Sequence, residues 1–319
     1  MRGEKYVKTA AIEKTNSKKE NKFIRNIKRY KYLYILTIPI LLYFILFKYL
    51  PMFGLVTAFK DYSFGRGILG SEWVGFKYFI EYFSSEYFIR TLRNTLILSC
   101  MDIVIGFPVP IIFALLLNEI RRDKFKRVVQ TASYLPHFIS MVVICGMITD
   151  FFSTDGLITK VITWLGGENM NYIGNSRYFR SIFVGTGIWQ GFGWGSIIYL
   201  AALTGVDSEL YEAAAIDGAG RWKQLLYVTL PSIANTIIVM LILRLGQVLA
   251  VGYEKIILLY STPTYEVADV ISSYTYRSGI LGGRYGYSAA VGMFQSVVNV
   301  IILFGANILS KKYAETSLF

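Results

Sequence analysis

The sequence predicts an all-α polytopic membrane protein, a bundle of six transmembrane helices, and three observations predict it. First, of 319 residues 54% are hydrophobic and only 17% charged, where soluble domains carry nearer a quarter charged residues; mean hydropathy is +0.45. Second, six apolar runs, at about 32–51, 94–118, 128–151, 179–204, 230–252 and 286–310, each approach the ~20 residues a helix needs to cross ~30 Å of hydrocarbon. Third, positive charge is sorted along the chain: 11 of the 33 Lys and Arg fall in residues 1–31, ahead of any apolar run. A net charge of +12 could suit nucleic acid, but this placement suits an anionic lipid surface, so membrane lipid is the expected partner and nucleic acid is not.

Residues 1–31 form a basic cytoplasmic segment, expected to be disordered at its start, with Lys18–Lys31 lying on the anionic inner leaflet. The first apolar run is too long and begins too late for a cleavable signal. Residues 32–319 then form one transmembrane domain. Pro39 interrupts the first run and Pro108 and Pro110 the second; such kinks are tolerated where neighbours re-satisfy the backbone. Lys and Arg counts set the orientation. With the N-terminus inside, the inner segments hold 20 and the longer outer segments 11. Glu119–Arg127 is the sharpest signal, with five positive charges in nine residues. N- and C-termini, residues 119–127 and 205–228 are therefore expected in the cytoplasm. The outer segments are rich in aromatics, among them Trp73, Tyr78, Tyr82, Tyr87, Tyr253, Tyr260, Tyr265, Tyr274 and Tyr276. Either an interfacial belt or a docking surface for an external partner accounts for them. Cys100 and Cys145 lie in apolar runs and read as small buried hydrophobes.

Several chemistries are missing. A phosphate-binding loop needs Gly-Lys-Ser/Thr at its end. The nearest approach, Gly70–Lys77, has Phe76 before the lysine and no hydroxyl after it. His137 is the only histidine, so no histidine metal site is expected. No carboxylate pair or nucleophile–base set appears, which argues against an enzyme. No cofactor is expected in this chain.

The loop between the fourth and fifth runs, about 207–231, is unlike an ordinary solvated connector. Asp207 or Ser208 can cap a helix, and Glu209 and Glu212 sit near its positive end. Ala213, Ala214 and Ala215 continue it with almost no width, and Gly218 and Gly220 break it. A second short helix is expected from Arg221 to Tyr227, with Pro231 opening the next run. Glu212, Ala213, Ala214, Asp217, Gly218, Val228 and Leu230-Pro231 resemble the cytoplasmic EAA loop of permease subunits of binding-protein-dependent ABC importers, in the Asp-Gly-Ala form of the sugar branch. Leu225 stands where an aromatic is common, and a second proline after Pro231 is absent. Tyr134–Ser140, Tyr265–Ile271 and Tyr285–Asn299 resemble the polysaccharide-permease branch of that family.

The resemblance implies the type I importer permease fold. It also implies a heterodimer with a second homologous permease, an ABC ATPase dimer that binds ATP and magnesium, and an extracytoplasmic solute-binding protein. Glu212, Ala213, Ala214, Asp217 and Gly218 would then couple to the ATPase. The implied cargo is a carbohydrate, an oligosaccharide above all; another polar solute, or a secondary transporter with no ATPase, are the alternatives. Indoles stack on sugar faces and amides bond hydroxyls, so Trp189, Gln190, Trp194, Gln247, Tyr253 and Asn299 are candidates for the translocation path. Arg244, deep in the fifth run, is expected to face that path or pair with an acid such as Asp102. Gly187, Gly191 and Gly195 recur every four residues and suit close helix packing.

Overall fold

Apolar runs set the helices, and prolines and polar caps set where they bend. The computed structural model describes residue 26 and residues 29–314. Most of the basic segment 1–31 and the last five residues, with what the sequence predicts for them, lie outside the described residues. The chain divides into two compact units, Met1–Val56 and Thr57–Phe319.

In the first unit, helix α1 (Lys31–Phe44) contains Pro39 and buries none of its side chains. It continues through a π turn, Ile45–Tyr49. A helix apolar on every side suits hydrocarbon surroundings.

The second unit starts with a short antiparallel ribbon, β1 (Lys60–Asp61) and β2 (Glu72–Trp73), in which Lys60 faces Trp73. Helix α2 (Lys77–Phe83) follows, then the long α3 (Glu86–Asn118). Helix α4 (Asp123–Phe138) and α5 (Met141–Phe151) meet at a 98° bend. Beyond α6 (Leu157–Trp164), α7 (Ser176–Thr204) is a 29-residue helix packed on the second half of α3. The loop helix α8 (Ser208–Ile216) precedes α9 (Arg221–Leu245). Next follow α10 (Tyr253–Leu259) and α11 (Ile271–Tyr276), before the final helix α12 (Tyr285–Ala314).

Among the described residues four helices, Lys31–Phe59, Glu86–Asn118, Arg221–Leu245 and Tyr285–Lys312, are long and apolar enough to cross a membrane, and the bent pair α4–α5 makes up to five. Helix α7 has the length for a sixth but not the apolarity, because Gln190, two indoles and repeated glycines interrupt it. The expected straight crossing at 128–151 is instead broken: Pro136 ends one segment, and the Ser140 hydroxyl caps the next by accepting from Val143 N–H. The expected separate helix 221–227 is instead the first turns of α9, joined to the rest through a π turn at Leu225–Thr229.

Prolines explain three of these π turns. Each lies directly before a proline: Ile45–Tyr49 before Pro51, Asp102–Gly106 before Pro108, and Leu225–Thr229 before Pro231. In each, the residue before the proline reaches back five positions: Leu50 N–H to the Ile45 carbonyl, Phe107 N–H to Asp102, Leu230 N–H to Leu225. Proline lacks an N–H and crowds the preceding turn, and a single wide turn lets the helix continue.

Three of the nine outer aromatics named above, Tyr78, Tyr82 and Tyr274, are core. Tyr78, Tyr82, Tyr274 and Tyr287 are buried in one cluster with Leu249, Ala290 and Val291, and the Tyr274 and Tyr287 hydroxyls bond at 2.9 Å. Trp73, Tyr87 and Tyr253 are exposed, and Tyr260, Tyr265 and Tyr276 are half-buried. Cys145 is buried but Cys100 is exposed.

Candidate functional site

Three features stand out: a pair of cavities between long helices, the loop helix, and an ion-pair network around Asp269. The first is a pair of adjoining cavities of about 320 and 420 Å³, sharing Asp102, Gly187, Arg244 and Gln247 as walls. The π turn of α3 presents Asp102, and the last turn of α9 presents Arg244. Their side chains form an ion pair between the Arg244 Nη2 and Asp102 Oδ2. Both are partly exposed to the cavity, as charges at membrane depth require. Gln190 lines one cavity; Gly187, Gly191 and Gly195 line the other. The glycine stripe thus forms cavity wall as well as contact surface. Gly195 meets Pro110 of α3, while the tightest approach on α7 belongs to Gly193, against the Ser133 backbone of α4.

The other path candidates sit elsewhere. Trp194 stacks on His137, ring centroids 4.7 Å apart and nearly parallel, pinning the end of α4 to α7. Trp189 is exposed, and Tyr253 is exposed beside Tyr276. Asn299 accepts from Leu249 N–H at 3.0 Å. Its role becomes clear from the chain after α9. Residues 246–252 are non-helical, and hydrocarbon offers their backbone groups no partners. Side chains supply them: Asn299 takes the Leu249 N–H, Gln295 donates to the Leu249 carbonyl, Ser99 to the Val248 carbonyl and Ser272 to the Val251 carbonyl. This propped stretch forms one wall of the smaller cavity through Val248, Ala250, Val251 and Gly252, and leads to Lys255, which completes that wall.

The loop helix α8 is the second feature. The Asp207 carboxylate caps it by accepting from Glu209 N–H at 3.0 Å, as the sequence suggests. Glu212, Ala213, Asp217 and Gly218 are exposed and Ala214 is half-buried. The helix ends with Ala219 N–H bonded to the Ala214 carbonyl (2.8 Å) and Gly218 N–H to the Ala215 carbonyl (3.1 Å). That is a Schellman closure, which needs a left-handed residue between its two bonds. Gly218 supplies it at φ +76°, with nothing within 4 Å of where a Cβ would sit. The loop is tied back to α9 by Tyr211 and Thr229, hydroxyls 3.0 Å apart, and by Gln224 donating to the Ala219 carbonyl. Ile216 and Trp222 stand 87% and 78% exposed on the loop's outer side, too apolar for a surface that meets only water.

The third feature was not legible as a site in the sequence. Asp269 is fully buried and accepts a two-pronged bond from Arg277 (3.1 and 2.7 Å), one from Arg90 of α3 (3.1 Å) and one from the Ser273 hydroxyl (2.8 Å). Burial alone would lower the Arg277 pKa; hydrogen bonding to the Asp269 carboxylate and its charge outweigh this and raise it. Asn94 of α3 donates to the Glu266 and Asp269 carbonyls and accepts from Arg180 of α7. The network fastens the segment Tyr265–Ile271 across α3 and α7. Among the described residues no group of three or more His, Cys, Asp or Glu could hold a metal.

Comparison with known proteins agrees with this architecture. The family model for the binding-protein-dependent transport system inner membrane component matches residues 88–315. The chain is 49% identical over 294 residues to protein LplB of Bacillus subtilis (strain 168), covering 92% of both. It is 45% identical over 302 residues to the polygalacturonan/rhamnogalacturonan transport system permease protein YteP of the same organism, covering 94% of both. Among solved structures, a chain of a bacterial ABC transporter involved in the import of the acidic polysaccharide alginate superposes with TM-score 0.85 at 41% identity, over 92% of this chain and 99% of that one. A cavity among α3, α7 and α9, a capped loop helix between α7 and α9, and the shared fold lead to one conclusion: this chain is a multi-pass membrane protein of type I importer permease fold and belongs to the family of binding-protein-dependent transport system inner membrane components.

Proposed function

We propose that this chain is one transmembrane subunit of an ATP-driven importer that carries an oligosaccharide across the cytoplasmic membrane. The observation that carries the reading is the loop helix α8. It is narrow, capped at its start, closed at its end by Gly218, and left exposed with apolar Ile216 and Trp222 beside it. A water-facing connector has no use for that surface; a helix seated in the cleft of an ATPase does. Glu212, Ala213, Ala214, Asp217 and Gly218 are the coupling residues in this reading. The chain itself carries no nucleotide loop, so ATP and magnesium belong to the ATPase dimer. A second, homologous permease completes the pathway. A solute-binding protein delivers cargo from outside, as in the alginate transporter solved with its pentasaccharide-bound periplasmic protein. The five positive charges of residues 119–127 support a cytoplasmic α8 side in this reading.

Carbohydrate cargo follows from the relatives' cargoes and from a cavity walled by amides, a hydroxyl and apolar side chains, through Gln190, Gln247, Ser99 and Phe183. The test is reconstitution. Proteoliposomes carrying this chain, its second permease and the ATPase should take up labelled oligosaccharide only with ATP and the binding protein. This chain with the ATPase alone should give little assembled complex. Uptake independent of ATP, or a transport-competent homodimer, contradicts the reading.

A further inference from the structure

We propose that Lys255 makes the cavity an anion-recognition site, and that the cargo is an oligosaccharide bearing carboxylates, a uronate chain. The inference rests on the carbohydrate-import reading above and narrows it.

Lys255 falls in a stretch the sequence assigns to an outer loop, yet it is only 5% exposed. Its Nζ donates to the Phe183 carbonyl at 2.8 Å and to the Thr186 hydroxyl at 2.9 Å, and lies 4.8 Å from the centre of the Phe183 ring. All three partners are neutral. An ammonium has three donors, so one remains. Burying an ammonium beside neutral groups is costly, and a carboxylate is the usual remedy. Among the described residues Lys255 has no ion-pair partner. The one carboxylate in the walls of the two cavities, Asp102, is held by Arg244. The walls therefore carry two cations against one anion, and the uncompensated charge sits on Lys255.

A neutral side chain of similar length, glutamine for example, could make the same bonds to α7 without that cost. What the ammonium adds is a positive charge and a spare donor at a cavity wall. An anionic group entering the cavity satisfies both, in surroundings where the attraction is weakly screened. The remaining polar wall, Gln190, Gln247 and Ser99, offers bonding for sugar hydroxyls. A carbohydrate with a ring carboxylate joins the two needs in one molecule. A sugar phosphate shares the charge, and the experiment separates the two.

The experiment measures equilibrium binding to the purified complex of this chain with its second permease and ATPase. The probes are trigalacturonate, galactotriose (the same chain with hydroxymethyl in place of carboxylate) and galactose 6-phosphate. The wild type should bind trigalacturonate at least tenfold more tightly than either other probe. Lys255→Gln should lose at least tenfold of that affinity and leave galactotriose binding unchanged, and Lys255→Arg should keep most of it. Equal losses for acid and neutral chains in Lys255→Gln would make Lys255 a clamp between helices and overturn the inference. Preference for the phosphate would overturn the uronate assignment. Binding of galactotriose alone removes this inference and leaves the carbohydrate reading standing; no binding of any probe, with no uptake of carbohydrate by the reconstituted importer, removes both.

Discussion

Asp269 is the hub that ties the segment Tyr265–Ile271 to α3 through Arg90 and to Arg277. Its carboxylate is fully buried between two guanidinium groups that are themselves about one-third exposed. Removing the carboxylate leaves two half-buried guanidinium groups together without a counter-charge, which costs roughly 2–3 kcal/mol once solvent screening is allowed for. Asp269→Ala should therefore lower the melting temperature of the detergent-purified complex by several degrees. Lys77→Ala, an exposed outer residue, should leave it unchanged; equal melting for both variants would show the network to be incidental. The residue scale is also where the sequence was least legible. Arg90 and Asp269 lie 179 positions apart, and Asn299 and Leu249 lie 50 apart, so no local pattern could pair them. Gly218 was legible because its task, closing a helix, is set by its own backbone and its immediate neighbours. Asn299 was legible as a polar residue in an apolar run, but nothing in the run says that its amide oxygen serves a backbone N–H rather than a substrate.

At the scale of elements, apolar length placed the long helices well and their breaks less well. Hydropathy averages over a window, so it reads 128–151 as one run and passes over the 98° bend that Pro136 and Ser140 produce. It also cannot see that a run may contain non-helical chain propped by distant side chains, as at residues 246–252. Within the aromatic outer segments, the core role of Tyr78, Tyr82 and Tyr274 was missed for a similar reason. Tyrosine suits both an interface and a core, and burial depends on partners such as Tyr82 stacking on Tyr274 that come from another segment. These corrections decide how orientation should be tested. Val270 looks like an outer-loop position but is fully buried, so a cysteine there would report nothing. Gly70 and Glu266 are exposed, as is Lys124 in the basic loop. Single cysteines at 70 and 266 should react with an impermeant maleimide added to sealed cells, and a cysteine at 124 should react only after permeabilisation. Reaction at 124 in sealed cells would invert the proposed topology.

At the scale of the molecule, the cavity and the loop helix are joined by two continuous elements. Helix α7 carries Gly187 and Gln190 at the cavity and hands over to α8 after Thr204; α9 begins beside α8 and delivers Arg244 to the same cavity. In the proposed function, a displacement of α8 would reach both walls through these two helices. The π turns before Pro108 and Pro231 put a wide turn of α3 and of α9 along this route. The account's central claim is that α8 passes the ATPase's motion to the cavity, and Gly218 tests it most directly. At φ +76° and with open space around it, a side chain there meets no clash. A β-branched residue would pay only for the left-handed backbone, roughly 1–2 kcal/mol, which is enough to reopen the helix end without unfolding the membrane helices. Asparagine tolerates that conformation and serves as the control. The measurement is substrate-stimulated ATP hydrolysis by the reconstituted complex. Gly218→Val should insert and accumulate normally but lose at least tenfold of the stimulated rate, while Gly218→Asn keeps most of it. Full stimulated hydrolysis in Gly218→Val would contradict the claim and detach this loop from the transport cycle.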